Sequence, residues 1–394
     1  MNNATAAGEN IHVLRKVQGK DQSWLSREMG ISASYLRKLE HGERPVTPQI
    51  AAAAARALRV RTARIWGQPF TAPVEHSQLL DDLREALRRH TLPKEDTPPL
   101  GELAAGLREA ADLRSATRYV ELLRILPRLL GQATSTAMDA GGDAVAWGQV
   151  ADLYGCAYAV AHRMGEPDLA DMIVSRQAWA SRQSWNPVAE AATAWNEAGT
   201  FQSAGQYDDG LSIVERAISA FEQAGGSGPE YIVTLGSLHL RGIVLASRHR
   251  DQNATDNHLR HAKRLVDELG AGGDVLRHNL TFGQGNTALY ELAAHIELDA
   301  PDRAATMADP LLRTPPAGLA PSRVGRLAID AARASLAINK VQDAERHLKQ
   351  AFDVAPQMAE LHPMSREVLR VLVVMHQRSK PDLVAMAKRA GLAE

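Results

Sequence analysis

The sequence of 394 residues predicts an all-α fold, with a compact five-helix domain at the N-terminus and an α-helical superhelix behind it. Two observations carry this prediction. Residues 19–47 contain two short amphipathic helices separated by a glycine turn. From about residue 101 onward, apolar residues recur at helical spacing in Ala- and Leu-rich segments, and no alternating strand pattern is present.

The two helices of residues 19–47 have clear beginnings and ends. Asp21 and Ser32 are good N-caps for helices that begin directly after them. Gly30 separates the helices, because glycine takes the left-handed conformation of such a turn without steric cost. Gly42 ends the second helix, over residues 33–41. The predicted inward faces of the pair are apolar and consist of Trp24, Leu25, Met29, Leu36 and Leu39.

Three further helices complete the predicted domain, which spans residues 9–68. Residues 9–18 form the opening helix. Thr47 begins a fourth helix, with Pro48 in the first position, where a missing amide hydrogen costs nothing. A short fifth helix packs back through Ile65 and Trp66.

The segment resembles the Xre/Cro family of phage-repressor-type helix-turn-helix domains. The match lies in residue types at the family's spacing: Gln22, Leu25, Gly30, Ser32, Tyr35, Glu40 and Gly42. The resemblance implies that the second helix lies in the major groove of DNA. The DNA-binding candidates are Gln22, Ser32, Ala33, Ser34, Tyr35, Arg37, Lys38 and Arg44.

These candidates divide by chemistry. Ala33 can contact a thymine methyl group, and Arg37 or Lys38 can donate to guanine. Tyr35 and Arg44 are better placed for phosphates. In matching proteins, the residue at the position of Gln22 binds a phosphate and braces the second helix. A solvated helix with the same charges is the alternative, which the glycine and cap pattern disfavours.

The charge is divided unevenly along the chain. The first 70 residues carry 11 Lys and Arg against 5 Asp and Glu, whereas the remainder carries 34 against 41. A basic head on an acidic body is typical of a DNA-binding domain attached to a part that does not contact DNA.

Residues 69–100 are predicted to connect the two regions. Pro69 and Pro73 mark the exit from the first domain, an amphipathic helix follows over residues 75–90, and the proline-rich segment 92–100 cannot be helical throughout. The helix of this linker is predicted to be a spacer or part of a dimer contact.

Residues 101–394 contain a weak repeat. Turns between predicted helices carry Asp168, Asp209, Asn253, Asp302 and Asp343, at intervals of 41, 44, 49 and 41 residues. Such intervals are typical of paired-helix repeats, and the segment 321–356 resembles a tetratricopeptide-type unit. The prediction is a tetratricopeptide-like superhelix with a concave face, and a plain helical bundle is the alternative.

The motifs of common enzymes are absent from the sequence. No GxSxG, HExxH, GxxxxGK[ST] or CxxC pattern occurs. The run at 282–286, FGQGN, is not expected to bind phosphate, because no strand is predicted before it and no Lys with Ser or Thr follows. His258 and His261 are three residues apart on one helix but lack further ligands, so exposed or helix-packing histidines are the expectation. We therefore predict no enzyme, catalytic residue, cofactor or metal site.

A ligand groove is predicted from polar residues that interrupt apolar inner helices: Asn196, Arg241, Asn286, Arg326 and Asp330. An asparagine amide both donates to and accepts from a peptide backbone, so such residues suit the capture of an extended peptide. Asn286 is the foremost candidate, since neighbouring glycines open the backbone there. For each residue, a hydrogen bond to a neighbouring helix is the alternative. The aromatics Trp179, Trp185, Trp195 and Tyr290 are expected in the core or along a pocket.

The combined architecture resembles the peptide-sensing RRNPP regulators and the Ala/Arg-rich actinobacterial Xre regulators with repeat domains. It implies a homodimer that binds a double-stranded DNA operator and responds to a peptide or small-molecule effector. An adaptor that brings a partner protein to DNA is the alternative, and an enzyme is less favoured. One cysteine, Cys156, and the lack of a signal or membrane pattern favour a cytoplasmic protein without a membrane partner.

Overall fold

The computed structural model describes residues 6–68, 74–139, 141–376 and 380–392. The predicted all-α class is confirmed, with an N-terminal helical domain followed by a body of helical hairpins. The predicted exit at Pro69 and Pro73 lies outside the described residues.

Five helices form the N-terminal domain: α1 (Ala7–Val17), α2 (Gln22–Glu28), α3 (Ala33–Glu40), α4 (Pro48–Ala57) and α5 (Thr62–Trp66). The predicted caps are present. Asp21 accepts a hydrogen bond from the amide of Trp24 at 2.7 Å, and Ser32 accepts one from that of Tyr35 at 3.1 Å. Gly30 has a φ of +67°, the left-handed conformation that the tight turn requires.

The core of this domain consists of the residues that the helical pattern placed inward. Leu25, Leu36, Leu39 and Ile65 are fully buried, together with Ile11 of α1. Burying one such side chain contributes about 1.5–3 kcal/mol, so these contacts hold α2 and α3 in a fixed relation. The outward side of α3 is therefore presented in one orientation.

The body contains the helices that follow in chain order: α6 (Val74–Arg88), α7 (Leu100–Ser115), α8 (Tyr119–Asp139), α9 (Ala144–Met164), α10 (Pro167–Ser184), α11 (Pro187–Ala204), α12 (Tyr207–Ala224), α13 (Gly228–His249), α14 (Gln252–Leu269), α15 (Gln284–Glu297), α16 (Pro301–Arg313), α17 (Pro321–Ala337), α18 (Val341–Val354), α19 (Pro356–Leu361), α20 (Pro363–Met375) and α21 (Pro381–Arg389).

The predicted repeat corresponds to five helical hairpins, α9–α10, α11–α12, α13–α14, α15–α16 and α17–α18. Each predicted turn lies at or next to the junction between the two helices of a hairpin. The first helices of successive hairpins pack against one another, and each second helix packs on the first helix of the next hairpin. The first helices therefore line one continuous inner face.

A β-hairpin interrupts the helices, which the sequence did not predict. Strands β1 (Val275–Arg277) and β2 (Leu280–Phe282) pair antiparallel around a turn in which His278 and Asn279 have positive φ angles. Three residues per strand are too few to produce an alternating pattern. The expectation that no strand precedes the run at 282–286 is therefore wrong.

The β-hairpin is attached to two inner helices. Nδ1 of His278 lies 3.0 Å from Asp152 of α9, and Nε2 lies 2.9 Å from Glu230 of α13. The hydrogen bond to Asp152 raises the pKa of His278 to about 9. The amide of Asn279 donates to the carbonyl of Asp152 at 2.7 Å.

Helix α6 lies within the predicted linker and packs against the body. Leu80, Leu83 and Leu87 are buried in the body core, where α6 contacts α8 and α10. The structure thus gives this helix a packing role within the protein, while the division at residue 101 stays a prediction.

The N-terminal domain rests on the body through hydrogen bonds to main-chain groups. The hydroxyl of Thr62 donates to the carbonyl of Ala204 at 2.7 Å, and that of Tyr207 donates to the carbonyl of Pro48 at 3.1 Å. The contact is close, because a Cβ atom added at Gly205 would lie 2.6 Å from Cβ of Ala52. Helices α4 and α5 of the N-terminal domain therefore form part of its contact with the body.

No helix in the described ranges combines the length and apolar character needed to cross a bilayer.

Candidate nucleic-acid interface and ligand groove

Helix α3 presents four of the predicted DNA-binding residues on the surface of the N-terminal domain. Ala33, Ser34 and Arg37 are exposed, and Lys38 is half-buried. This arrangement follows from the burial of Leu36 and Leu39 on the opposite side of the helix. The four side chains occupy positions from which a helix in a DNA groove could contact base edges.

A buried ion-pair network fixes α3 from behind. The side chain of Glu40 is 1% exposed and receives hydrogen bonds from Nε of Arg15 at 2.6 Å and Nη2 of Arg15 at 2.8 Å. Gln22 donates to the same carboxylate at 2.7 Å. Burial would raise the pKa of Glu40, but the hydrogen bonds from Arg15, Gln22 and His12 lower it to about 2. The network joins α1, α2 and α3.

The network explains the bracing role expected of Gln22. Its Nε2 atom carries two hydrogens, and the bond to Glu40 uses one of them. Arg15 was missed by the sequence analysis, although its position four residues after Ile11 on the inner face of α1 is a signal for a buried, paired cation.

The remaining candidates surround α3. The hydroxyl of Ser32 caps the helix, and Arg44 is exposed in the following loop. Tyr35 is half-buried; burial raises its pKa, the positive charge of Arg44 lowers it, and Asp299 of the body raises it.

Residues 11–65 match the helix-turn-helix family. The N-terminal domain is an Xre/Cro-type helix-turn-helix domain. The match ends before the body, and no curated protein is significantly similar to the chain in sequence.

Solved structures similar to this chain combine low identity with low structural agreement. PlcR of Bacillus thuringiensis, in complex with the peptide PapR7 and DNA, has 17% identity and a TM-score of 0.33 over 68% of this chain and 96% of that one. The PrgX/iCF10 complex has 10% identity and a TM-score of 0.25 over 95% of this chain and 98% of that one. PrgX has 10% identity and a TM-score of 0.22 over 97% and 98%. These similarities carry no weight for function.

The inner face of the body contains a cavity of about 130 Å³, and three of the five predicted ligand residues line it. The amide of Asn196 donates to Gln177 at 2.8 Å. Arg241 lies over the indole ring of Trp195, with its guanidinium carbon 3.6 Å from the ring centroid. Arg326 lines the same cavity.

The other two predicted residues lie behind the cavity wall. Asp330 is fully buried and pairs with Arg326 at 2.7 Å and Arg333 at 2.8 Å, so it is a counter-ion inside the wall. Asn286 is 1% exposed, and its amide donates to the carbonyl of Thr281 in β2 at 2.6 Å. Neither side chain reaches the cavity.

The first turn of α15 already has an anionic partner. The carboxylate of Asp274 accepts the amide of Asn286 at 3.0 Å and occupies the position that a phosphate would need. The strand that precedes the run at 282–286 thus leads into a helix whose first turn is bonded to a carboxylate of the chain itself.

Several residues of the cavity were missed by the sequence analysis, because each is an ordinary member of its own helix. They include three arginines and two tyrosines: Arg114, Arg163, Arg323, Tyr119 and Tyr158. Of the predicted aromatics, Trp195 and Tyr290 line the cavity. Trp179 packs against Trp147 elsewhere, and Trp185 is 86% exposed.

A second cavity of about 540 Å³ lies between the helix-turn-helix domain and the body. Its walls come from α4 and α5 on one side and, on the other, from parts of the body that include the end of α9, the beginning of α10 and the end of α11. Four residues line both cavities: His162, Arg163, Gln202 and Arg326. We call the cavity of about 130 Å³ the groove. Because it shares these four residues with the second cavity, the groove opens toward the helix-turn-helix domain.

The histidine pair of α14 packs against a third histidine. Nδ1 of His239 lies 3.0 Å from Nδ1 of His258, and the rings of His239 and His261 stack at 4.9 Å. Burial, together with the charges of neighbouring histidines, lowers the pKa of His239 to about 3 and that of His258 to about 4. Within the described residues, no group of three His, Cys, Asp or Glu side chains is arranged to hold a metal ion.

Proposed function

We propose that this protein is a homodimeric, sequence-specific DNA-binding transcriptional regulator whose repeat groove binds a signalling ligand, a short peptide or a small molecule. The observation that carries the proposal is the position of the groove, which opens onto the cavity beneath the helix-turn-helix domain. A ligand in the groove can thereby affect the placement of the domain that binds DNA.

In this proposal, the two sides of α3 have different tasks. Ala33, Ser34, Arg37 and Lys38 contact base edges, and Ser32, Tyr35 and Arg44 contact the DNA backbone. Gln22 holds α3 through Glu40 and directs its second amide hydrogen to a phosphate. The contacts to base edges determine sequence preference, whereas the contacts to the DNA backbone determine register and affinity.

We propose a dimer because one small helix-turn-helix unit buries little DNA surface. Two such units on an inverted repeat, about one helical turn apart, provide the surface of a specific complex. The repeat domain, residues 101–394, would supply the dimer contact and the ligand groove. Such a regulator acts in the cytoplasm, where bacterial DNA is found.

Ligand binding would then shift the population between two placements of the helix-turn-helix domains. A useful change in operator affinity requires the ligand to discriminate these placements by about 1–3 kcal/mol. Asn196, Arg241 and Arg326 are the groove residues that we retain for this role. Asn286 and Asp330 would act only indirectly, since their side chains lie behind the wall.

The test begins with selection of bound sequences from random duplex DNA by the full chain. We expect an inverted repeat, and light scattering of the complex should give two chains per duplex. The Arg37→Ala, Lys38→Ala double variant should lose specific binding but keep its helical content by circular dichroism. An Arg44→Ala variant should bind all sequences more weakly and reduce the salt dependence by about one phosphate contact.

Three results would contradict the proposal. They are the absence of any enriched sequence, unchanged specificity in the double variant, and a monomer on the selected duplex. Recovery of one stoichiometric partner protein with the chain from its native host would instead support an adaptor.

A further inference from the structure

The groove gathers positive charge from four helices. Five arginines of α7, α9, α13 and α17 line the cavity of about 130 Å³: Arg114, Arg163, Arg241, Arg323 and Arg326. Arg326 pairs with Asp330. In the part of the chain that the structure describes, the other four form no ion pair with an Asp or Glu.

Two of the four arginines without counter-ions bind neutral groups. Arg114 donates to the carbonyl of Asn279 at 2.7 Å, and Arg241 donates to Oε1 of Gln202 at 2.7 Å. The two others lie near phenols: burial raises the pKa of Tyr119 and the positive charge of Arg163 opposes this, while the positive charge of Arg323 lowers the pKa of Tyr290. Asp152, the acidic residue near Arg114, is engaged by His278 instead.

Burying these arginines costs free energy when no anion is bound beside them. Arg241 is 7% exposed, and its Nε atom has no hydrogen-bond partner. A buried cation ordinarily has a counter-ion, because desolvation disfavours the charged form. Burial lowers the pKa of Arg163 and of Arg241; neighbouring tyrosines oppose this, whereas Arg323 lowers both pKa values.

Tyr290 shows the effect of this charge on an oxygen inside the groove. Burial would raise the pKa of its phenol, yet the positive charges of Arg323, Arg241 and Arg326 lower it below the usual value. The groove therefore stabilises a negative charge on a buried oxygen atom. A ligand oxygen with a negative charge would be stabilised in the same way.

The walls also restrict the shape of the ligand. The indole of Trp195 lies against Arg241, and the phenols of Tyr158 and Tyr290 also line the cavity. A planar carboxylate or a phosphate can receive two hydrogen bonds from one guanidinium group. A neutral or cationic group would leave the arginines without a counter-ion.

We propose that the groove binds the anionic group of its effector, a carboxylate or a phosphate, through Arg114, Arg163, Arg241 and Arg323. This inference deepens the proposed function and rests on it, because it takes the groove to be the effector site. The unpartnered Nε of Arg241 and the missing counter-ions are the observations that carry it.

The experiment is a thermal-unfolding titration of the full chain with sodium citrate and with sodium pyrophosphate, against sodium chloride at equal ionic strength. We expect at least one of the two anions to raise Tm beyond the chloride control. Tighter binding of citrate would indicate a carboxylate ligand, and tighter binding of pyrophosphate would indicate a phosphate ligand. Quenching of tryptophan fluorescence, absent in a Trp195→Phe variant, should give the same Kd.

Variants decide whether the groove is responsible. Arg241→Gln and Arg163→Gln should each weaken the Kd at least tenfold, with unchanged helical content. Arg216→Gln, an exposed arginine of α12, is the matched control and should leave the Kd unchanged. The Arg37→Ala, Lys38→Ala variant should also respond normally, because its changes lie on the DNA-binding surface.

Two results would overturn the inference: no rise in Tm beyond chloride with either anion, or an equal response in both groove variants and the wild type. If specific DNA binding is present while the anion response is absent, the regulator stands and the anion site fails. If the anion response is present while specific DNA binding is absent, the anion site stands and the proposed regulator is refuted.

Discussion

The carboxylate of Glu367 accepts a hydrogen bond from the backbone amide of Val46 at 3.2 Å. Glu367 lies in α20, near the end of the body, whereas Val46 lies in the loop between α3 and α4 of the helix-turn-helix domain. The other oxygen of the carboxylate accepts the amide of Ala7, at the beginning of α1, at 3.4 Å. One side chain of the body thus holds two main-chain groups of the DNA-binding domain.

We expect Glu367→Gln to loosen this contact. A glutamine has one acceptor oxygen, so one of the two buried amides loses its partner, at a cost of about 1–3 kcal/mol. Hydrogen exchange followed by mass spectrometry should show faster exchange in peptides that contain Ala7 or Val46.

The control for this change is Glu360→Gln, which removes a partially exposed ion pair with Arg389. Its effect on the free energy of unfolding should stay below about 1 kcal/mol. Unchanged exchange at both amides in Glu367→Gln would show that the two domains are held together by other contacts.

The ion pair behind α3 gives a second prediction. Glu40→Ala leaves Arg15 buried without its counter-ion, so the free energy of unfolding should fall by about 3–5 kcal/mol. Gln22→Ala removes one hydrogen bond from the same carboxylate and should cost about 1.5–3 kcal/mol. Urea denaturation of the full chain measures the free energy of unfolding of both variants. An equal loss in the two would contradict the role of Glu40 as the counter-ion of Arg15.

The buried histidines predict a loss of stability in mild acid. The folded-state pKa values of His239 and His258, about 3 and about 4, lie below the unfolded value. The unfolded chain therefore binds more protons, and stability falls as the pH drops below about 6.5. Each histidine contributes up to about 1.4 kcal/mol per pH unit. Glu40, with a pKa of about 2, adds a loss only below about pH 4.5.

Urea denaturation between pH 6.5 and 4.5 isolates the histidine effect. His258→Asn should give a shallower dependence on pH than the wild type, since it removes one titrating group from both states. His249→Asn changes an exposed histidine at the end of α13 and should leave the dependence as it is. If the stability of His258→Asn depends on pH as steeply as that of the wild type, His258 is not one of the groups that cause the loss in acid.

The sequence predicted most accurately where structure depends on neighbours along the chain. The caps at Asp21, Ser32 and Thr47 and the turn at Gly30 are local, because each involves contacts within a few residues. The hairpin turns of the body were also predicted, since a period of 41 to 49 residues survives even when individual positions vary. The β-hairpin was missed because its strands have three residues each.

The ligand groove could be predicted only in part. Asn196, Arg241 and Arg326 were selected because they are polar residues on apolar helices, and they line the cavity. The same criterion selected Asn286 and Asp330, which satisfy a strand carbonyl and two arginines inside the wall. A helical pattern shows which residues face inward but not whether an inward side chain meets a cavity or a neighbouring helix.

The sequence by itself determined the all-α class, the helix-turn-helix domain with its outward stripe from Ala33 to Lys38, and the helical hairpins. These features depend on helical period, caps and turn residues, which are written in short stretches of chain. The tertiary structure alone decided that Glu367 holds Val46 and that Arg114, Arg163, Arg241 and Arg323 share one cavity. Contacts between residues on helices far apart in the chain depend on the stacking of whole helices, and no local pattern encodes them.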